Sequence, residues 1–133
     1  AALNLDDLIY AIGDGNQLMV QRVYGRVIAE GSSPISVLTA ASRHLMRLHQ
    51  VLGLTSGGGS IDKAMQNLRP PVFFKRKGQF KAQAGRWSPA LLARGLELLT
   101  TAELQAKSTD APSQALIERA LMQVASAGRG TRR

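Results

Sequence analysis

From Pro34 to Leu54 the residues Leu38, Ala41, Leu45, Leu48 and Leu52 recur at steps of three and four. On a helix turning about 100° per residue, that spacing gathers them into one apolar stripe. A stripe of this length must be covered by other elements, so the segment predicts a helix with one buried face and a helical layer around it. Its start is marked by Ser33, whose hydroxyl can cap the first turn, and by Pro34, whose missing N–H costs nothing at the first helical position. Its end is marked by Thr55, Ser56, Gly57, Gly58, Gly59 and Ser60, a polar, glycine-rich run that reads as a loop.

The same period extends through most of the chain. Leu5 to Ile12 reads as a short helix ended by Gly13. Asn16 to Glu30 reads as a second, with Val20, Val23, Tyr24 and Val27 inward and Gly31 as its stop. Ile61 to Leu68 accommodates two turns before Pro70 and Pro71 force extended backbone. Phe73 to Ala84 reads as a further helix weakened by Gly78. Ser88 and Pro89 repeat the capping pair ahead of the stripe Leu92, Leu96, Leu99 and Ala102, and Pro112 opens a last helix with Ile117, Leu121 and Val124 inward. No segment alternates in the manner of a strand; the nearest candidate, Val72 to Phe74, lies between two prolines and a basic cluster.

The fold class expected is therefore all-α, an irregular or orthogonal bundle of six or seven helices. With 133 residues, of which 44% are apolar and 20% charged, the chain suits one domain with a real core. The domain is expected over 1–127. The remainder, 128–133, is read as a disordered basic tail with nothing to bury.

Charge narrows the partners. Seventeen Lys and Arg against nine Asp and Glu give +8, and from Lys63 to Leu96 there are eight basic residues and no acid. A solvated face is the plain reading of such a run; contact with nucleic acid is the sharper one, with Lys75, Arg76, Lys77, Lys81 and Arg86 as the candidate DNA-contacting residues. Trp87, Phe73, Phe74 and Phe80 lie among these cations, a mixture that single-strand binders use for stacking, although aromatics in a small helical domain more often form core. Arg22, Arg26, Arg43 and Arg47 form two i, i+4 pairs able to clamp phosphates or carboxylates, or simply to face water.

Catalytic constellations are not found. Gly53 and Gly58 have phosphate-loop spacing, but Gly59 stands where the lysine is needed and a helix precedes the segment. Gly13 and Gly15 begin a dinucleotide pattern that Leu18 breaks. His44 and His49 are about 140° apart on a helix and cannot share a metal. Asp6 and Asp7 suit a helix N-terminus better than a carboxylate pair. There is no cysteine, hence no disulfide, thiolate zinc site or cysteine nucleophile. No enzyme activity, cofactor or metal is expected in this chain, and neither membrane span nor signal peptide is read from it.

The order of its landmarks resembles a known family. These landmarks are Ala11-Ile12-Gly13-Asp14-Gly15, Glu30-Gly31-Ser32-Ser33-Pro34, and Arg43-His44-Leu45 in the leucine-striped helix. Leu68-Arg69-Pro70-Pro71-Val72-Phe73-Phe74-Lys75, Gln83 and Trp87-Ser88 follow, then Glu103-Leu104-Gln105-Ala106-Lys107-Ser108-Thr109 and Glu118-Arg119. Together they are similar to the C-terminal helical domain of the delta subunit of the bacterial DNA polymerase III clamp loader. The Pro-Pro-Val-Phe-Phe-Lys to Trp-Ser stretch looks most like alphaproteobacterial members. The resemblance implies a collar domain, packed in a ring with counterparts from gamma, tau and delta prime type subunits. It implies that the sliding clamp is reached only through upstream domains, that any polymerase activity belongs to the parent complex, and that the setting is the cytoplasmic, nucleoid-associated replisome. A stand-alone basic DNA-binding module is the alternative.

Overall fold

Five of the helices begin where a side-chain oxygen accepts from an orphan N–H group. The computed structural model describes residues 3–108, 110 and 112–129. Helix α1 spans Leu5–Asp14 and opens with a reciprocal cap: Asp7 N–H donates to the Asn4 side chain at 3.1 Å, and Asn4 N–H donates to the Asp7 carboxylate at 2.8 Å. Asn16 caps α2 (Gln17–Ala29), Ser33 caps α3 (Pro34–Thr55) and Ser60 caps α4 (Ile61–Met65). One 3₁₀ turn, Phe74–Arg76, leads into α5 (Lys77–Arg86). Ser88 Oγ accepts from Leu91 N–H at the start of α6 (Pro89–Ser108), and α7 is Ser113–Arg129. No strand occurs among the described residues, so the all-α expectation holds.

Three boundaries differ from expectation. Helix α1 runs through Gly13 and stops at Gly15, which takes the left-handed conformation at φ 75°. Gly13 has the other use of glycine, a close approach described below. The expected helix from Phe73 is a 3₁₀ turn first, because extended backbone at Phe73 follows the two prolines and the chain winds up only from Phe74. Helix α4 closes at Met65, with the chain continuing to Leu68 in i, i+3 hydrogen bonds.

The expected end of the domain after residue 127 also moves. Helix α7 continues to Arg129, and Gly128 is buried against Trp87. The lack of a side chain, which reads as nothing to bury, is what lets the indole approach. Residues 130–133 of the expected tail lie outside the described residues.

Helix α7 is the central element and packs against α6, α1, α2 and α3; α3 also carries α4 and α5. The predicted stripe forms the core: Leu38, Ala41, Leu45 and Leu48 are buried, as are Leu92, Leu99, Ile117 and Leu121 on the facing helices. Leu52, at the end of the stripe, is half-buried. Tyr24 O–H donates to the Gln114 carbonyl at 2.8 Å, and Gln17 donates to the Met122 carbonyl at 3.0 Å, which ties α2 to α7. The loop at Gly57 to Ser60 is exposed. Among the described residues no helix is long and apolar enough to cross a membrane.

Candidate interaction surface

The acid-free stretch of sequence is folded against acids from elsewhere. Helix α5 and the turn that leads into it lie against α1 and α4, so Arg76 and Lys81 meet aspartates of those two helices. Arg76 donates to Asp6 at 3.0 Å and to Asp7 at 2.6 Å, two carboxylates placed by the capping turn of α1. Its guanidinium also covers the Tyr10 ring, 4.6 Å from the centroid. Gln79 donates to Asp14 at 2.6 Å, and Lys81 pairs with Asp62 at 2.9 Å.

Deeper in the same contact is a buried polar chain. The Gln83 amide N–H groups donate to the Tyr10 carbonyl at 3.1 Å and to Asp14 at 2.7 Å. Its carbonyl oxygen is thereby left to accept, at 2.7 Å, from Nε2 of His44, which places a proton on that ring nitrogen. His44 is itself packed edge-on between Tyr10 and Phe80. Burial pushes its pKa below the ordinary value, against the opposing pull of the Gln83 hydrogen bond. Gly13 makes this approach available: a Cβ there would stand 2.7 Å from Gln83 Nε2. The Gly13 carbonyl accepts from both Arg86 and the Trp87 indole, the latter at 2.9 Å.

The five residues read as DNA-contacting are therefore not equivalent. Arg76, Lys81 and Arg86 are engaged within the chain, and Arg86 Nε is buried with no hydrogen-bond partner among the described residues. Lys75 and Lys77 are exposed, and Lys75 stands over the Phe74 ring at 5.9 Å from the centroid. The aromatics divide in the same way. Phe80 and Trp87 are core, whereas Phe73 and Phe74 are 56% and 68% exposed and packed edge-to-face on each other.

The four arginines on α2 and α3 are not brought together. Helix α2 packs on α1 and α7, and its Arg22 and Arg26 face water. Arg47 on α3 instead donates to the Pro70 carbonyl at 2.7 Å and, with exposed Arg43, borders a shallow groove beside Phe73. His44 is buried and His49 exposed, and no metal-binding cluster forms among the described residues.

What sequence reading passed over is Gln83 as a lock and the glycines that admit it. The signal was there: Gln83 sits on the stripe Phe80, Gln83, Ala84 and Trp87, the one strongly polar residue on a face otherwise apolar. Gly95 and Gly128 likewise fall on buried faces, where glycine at an inward position implies close approach.

Leucines 18 and 104 are exposed on α2 and α6, helices that both pack on α7 and make no extensive contact with each other. No protein-family profile and no curated protein matches the chain. Among solved structures it is similar to the Bacillus subtilis DNA clamp loader delta protein (YqeN), with a TM-score of 0.71 and 20% identity. The alignment covers 91% of this chain and 35% of that one, so the chain spans about a third of the length of the protein it matches. At that identity the likeness is one of fold.

Proposed function

We propose that this chain is a collar-type helical domain of a clamp-loader delta subunit, which packs side by side with counterpart domains of gamma, tau and delta prime type subunits. The observation that carries the reading is the fold likeness over nearly the whole chain to one part of a clamp loader delta protein. The ordered landmarks from Ala11 to Arg119 support it independently of the fold. In this reading the domain is an assembly element with no catalysis of its own, and magnesium-ATP titrated into it by calorimetry produces no binding heat.

A ring subunit is contacted heterologously, by different neighbours on different flanks. Leu18 and Leu104 supply exposed apolar side chains on two helices that each pack on α7, and Arg94, Glu97 and Arg119 border a groove between α6 and α7. Mixing the chain with gamma, tau and delta prime type subunits and sizing the mixture by light scattering tests the proposal. Incorporation is expected, weakened by Leu18→Glu or Leu104→Glu; a chain that stays alone with all partners present overturns it.

A second reading, contact with single-stranded DNA, is favoured by one observation: Phe73, Phe74, Lys75 and Lys77 remain exposed together on one short segment. Replacing Lys75 and Lys77 with Ala should then flatten the salt dependence of binding by roughly 0.7 units for each phosphate no longer neutralised. An equal flattening from Arg22→Ala with Arg26→Ala would reduce this to a diffuse positive field.

A further inference from the structure

Between α4 and the start of α5 the surface opens into a groove of about 500 Å³. Buried Met65 and Val72 form its apolar floor, Pro71 forms a wall, and Gly78 leaves the opposite wall bare. A Cβ at Gly78 would meet nothing within 4 Å, so the space above α5 is open at that turn. Lys77 and Lys81 stand one turn apart at the rim. Asp62 holds Lys81 at 2.9 Å, whereas Lys77 makes no ion pair among the described residues.

These features select an occupant. Most of the lining is exposed, so a free small molecule would stay largely wet, whereas a single apolar side chain delivered by a peptide can be covered with its backbone outside. The lining holds no aromatic ring for a base to stack on. The uncompensated charge at the rim is positive, which calls for a carboxylate beside the apolar anchor. We propose that this groove binds an acidic peptide segment of a partner protein, seating one apolar side chain over Met65, Val72 and Gly78 and a flanking carboxylate on Lys77. The site does not depend on the collar reading.

Fluorescence anisotropy with the full chain tests it, at about 0.15 M salt so that non-specific attraction is screened. The probes are labelled heptapeptides DEDXDED with X as Leu, Met, Phe or Trp, compared with X as Gly and with a labelled oligothymidylate of equal charge. At least one apolar probe should saturate and bind about tenfold or more tightly than the Gly probe, as burial of one apolar side chain allows. Gly78→Leu fills the groove and favours the helix, so it should keep the circular dichroism of the parent while weakening that probe about tenfold. Lys77→Glu should weaken it similarly, and Arg22→Glu, an equal charge change on α2, should not. The proposal is overturned if no apolar probe saturates, if the Gly probe binds as well, if Gly78→Leu binds normally, or if oligothymidylate binds more tightly and is the probe that Gly78→Leu displaces.

Discussion

Trp87 and Gly128 meet with no side chain between them: a Cβ on Gly128 would stand 2.7 Å from Cε2 of the indole. The same ring donates its N–H to the Gly13 carbonyl, so one side chain at the α5–α6 junction joins the end of α1 to the end of α7. An apolar ring and a polar N–H are both satisfied at one buried point, which is where packing tolerates least change.

Gly128→Ala should therefore lower stability by about 1–3 kcal/mol, the usual cost of overpacking a filled site. Gly25→Ala is the matched control, since a Cβ there meets nothing within 4 Å and the position is inside α2. It should raise stability by roughly 0.5–1 kcal/mol through helix propensity alone. Urea unfolding of the two variants checks both signs; a destabilised Gly25→Ala or a neutral Gly128→Ala contradicts the packing described.

Gly13 and Gln83 should be coupled. Gly13→Ala drives a Cβ into the Gln83 amide, and Gln83→Ala leaves Asp14, His44 and the Tyr10 carbonyl without their shared partner. Each single change should cost about 1–3 kcal/mol. Because the second removes what the first collides with, the double variant should cost less than the sum by about 1 kcal/mol or more in a double-mutant cycle.

His44 gives the fold a pH dependence of known sign. Its folded pKa lies below the ordinary value because burial disfavours the imidazolium, so the unfolded chain takes up the proton first. Its contribution is complete above the unfolded pKa of about 6.5 and is lost as pH falls below it. Urea midpoints should decline from about pH 7.5 to 5.5, a range above the carboxylate titrations, and His44→Gln should flatten that decline. A wild-type midpoint constant across this range would contradict it.

At the alkaline end Tyr24 sets the limit. Burial, assisted by nearby Glu118, pushes its phenol up to about 12, while the O–H donates to the Gln114 carbonyl. The neutral form is the one the fold keeps, so this stability is present below the unfolded value of about 10 and is lost as pH rises through 12. Ultraviolet titration should show Tyr24 ionising last, with Tyr10 also above the ordinary phenol value because of its burial. Tyr24→Phe should remove that last step and cost about 0.5–1.5 kcal/mol.

The helices, their caps and the inward stripes were legible from the residues alone, because capping and 3.6-residue periodicity are local: Ser33 with Pro34, or Leu38 with Leu45, carry their meaning within a few positions. The fold class followed from them. The charge pattern did not translate in the same way. A run from Lys63 to Leu96 without an acid reads as a positive face, yet Arg76, Lys81 and Arg86 are spent on Asp6, Asp7, Asp62 and the Gly13 carbonyl. Only the packing of α5 on α1 brings together groups about seventy positions apart, and Coulomb energy and hydrogen bonding depend on distance in space. The same holds for Gln83, Gly13 and Gly128. Composition marks them as a polar residue and two flexible ones, and only the meeting of three helices makes the first a lock and the other two the openings that receive Gln83 and Trp87.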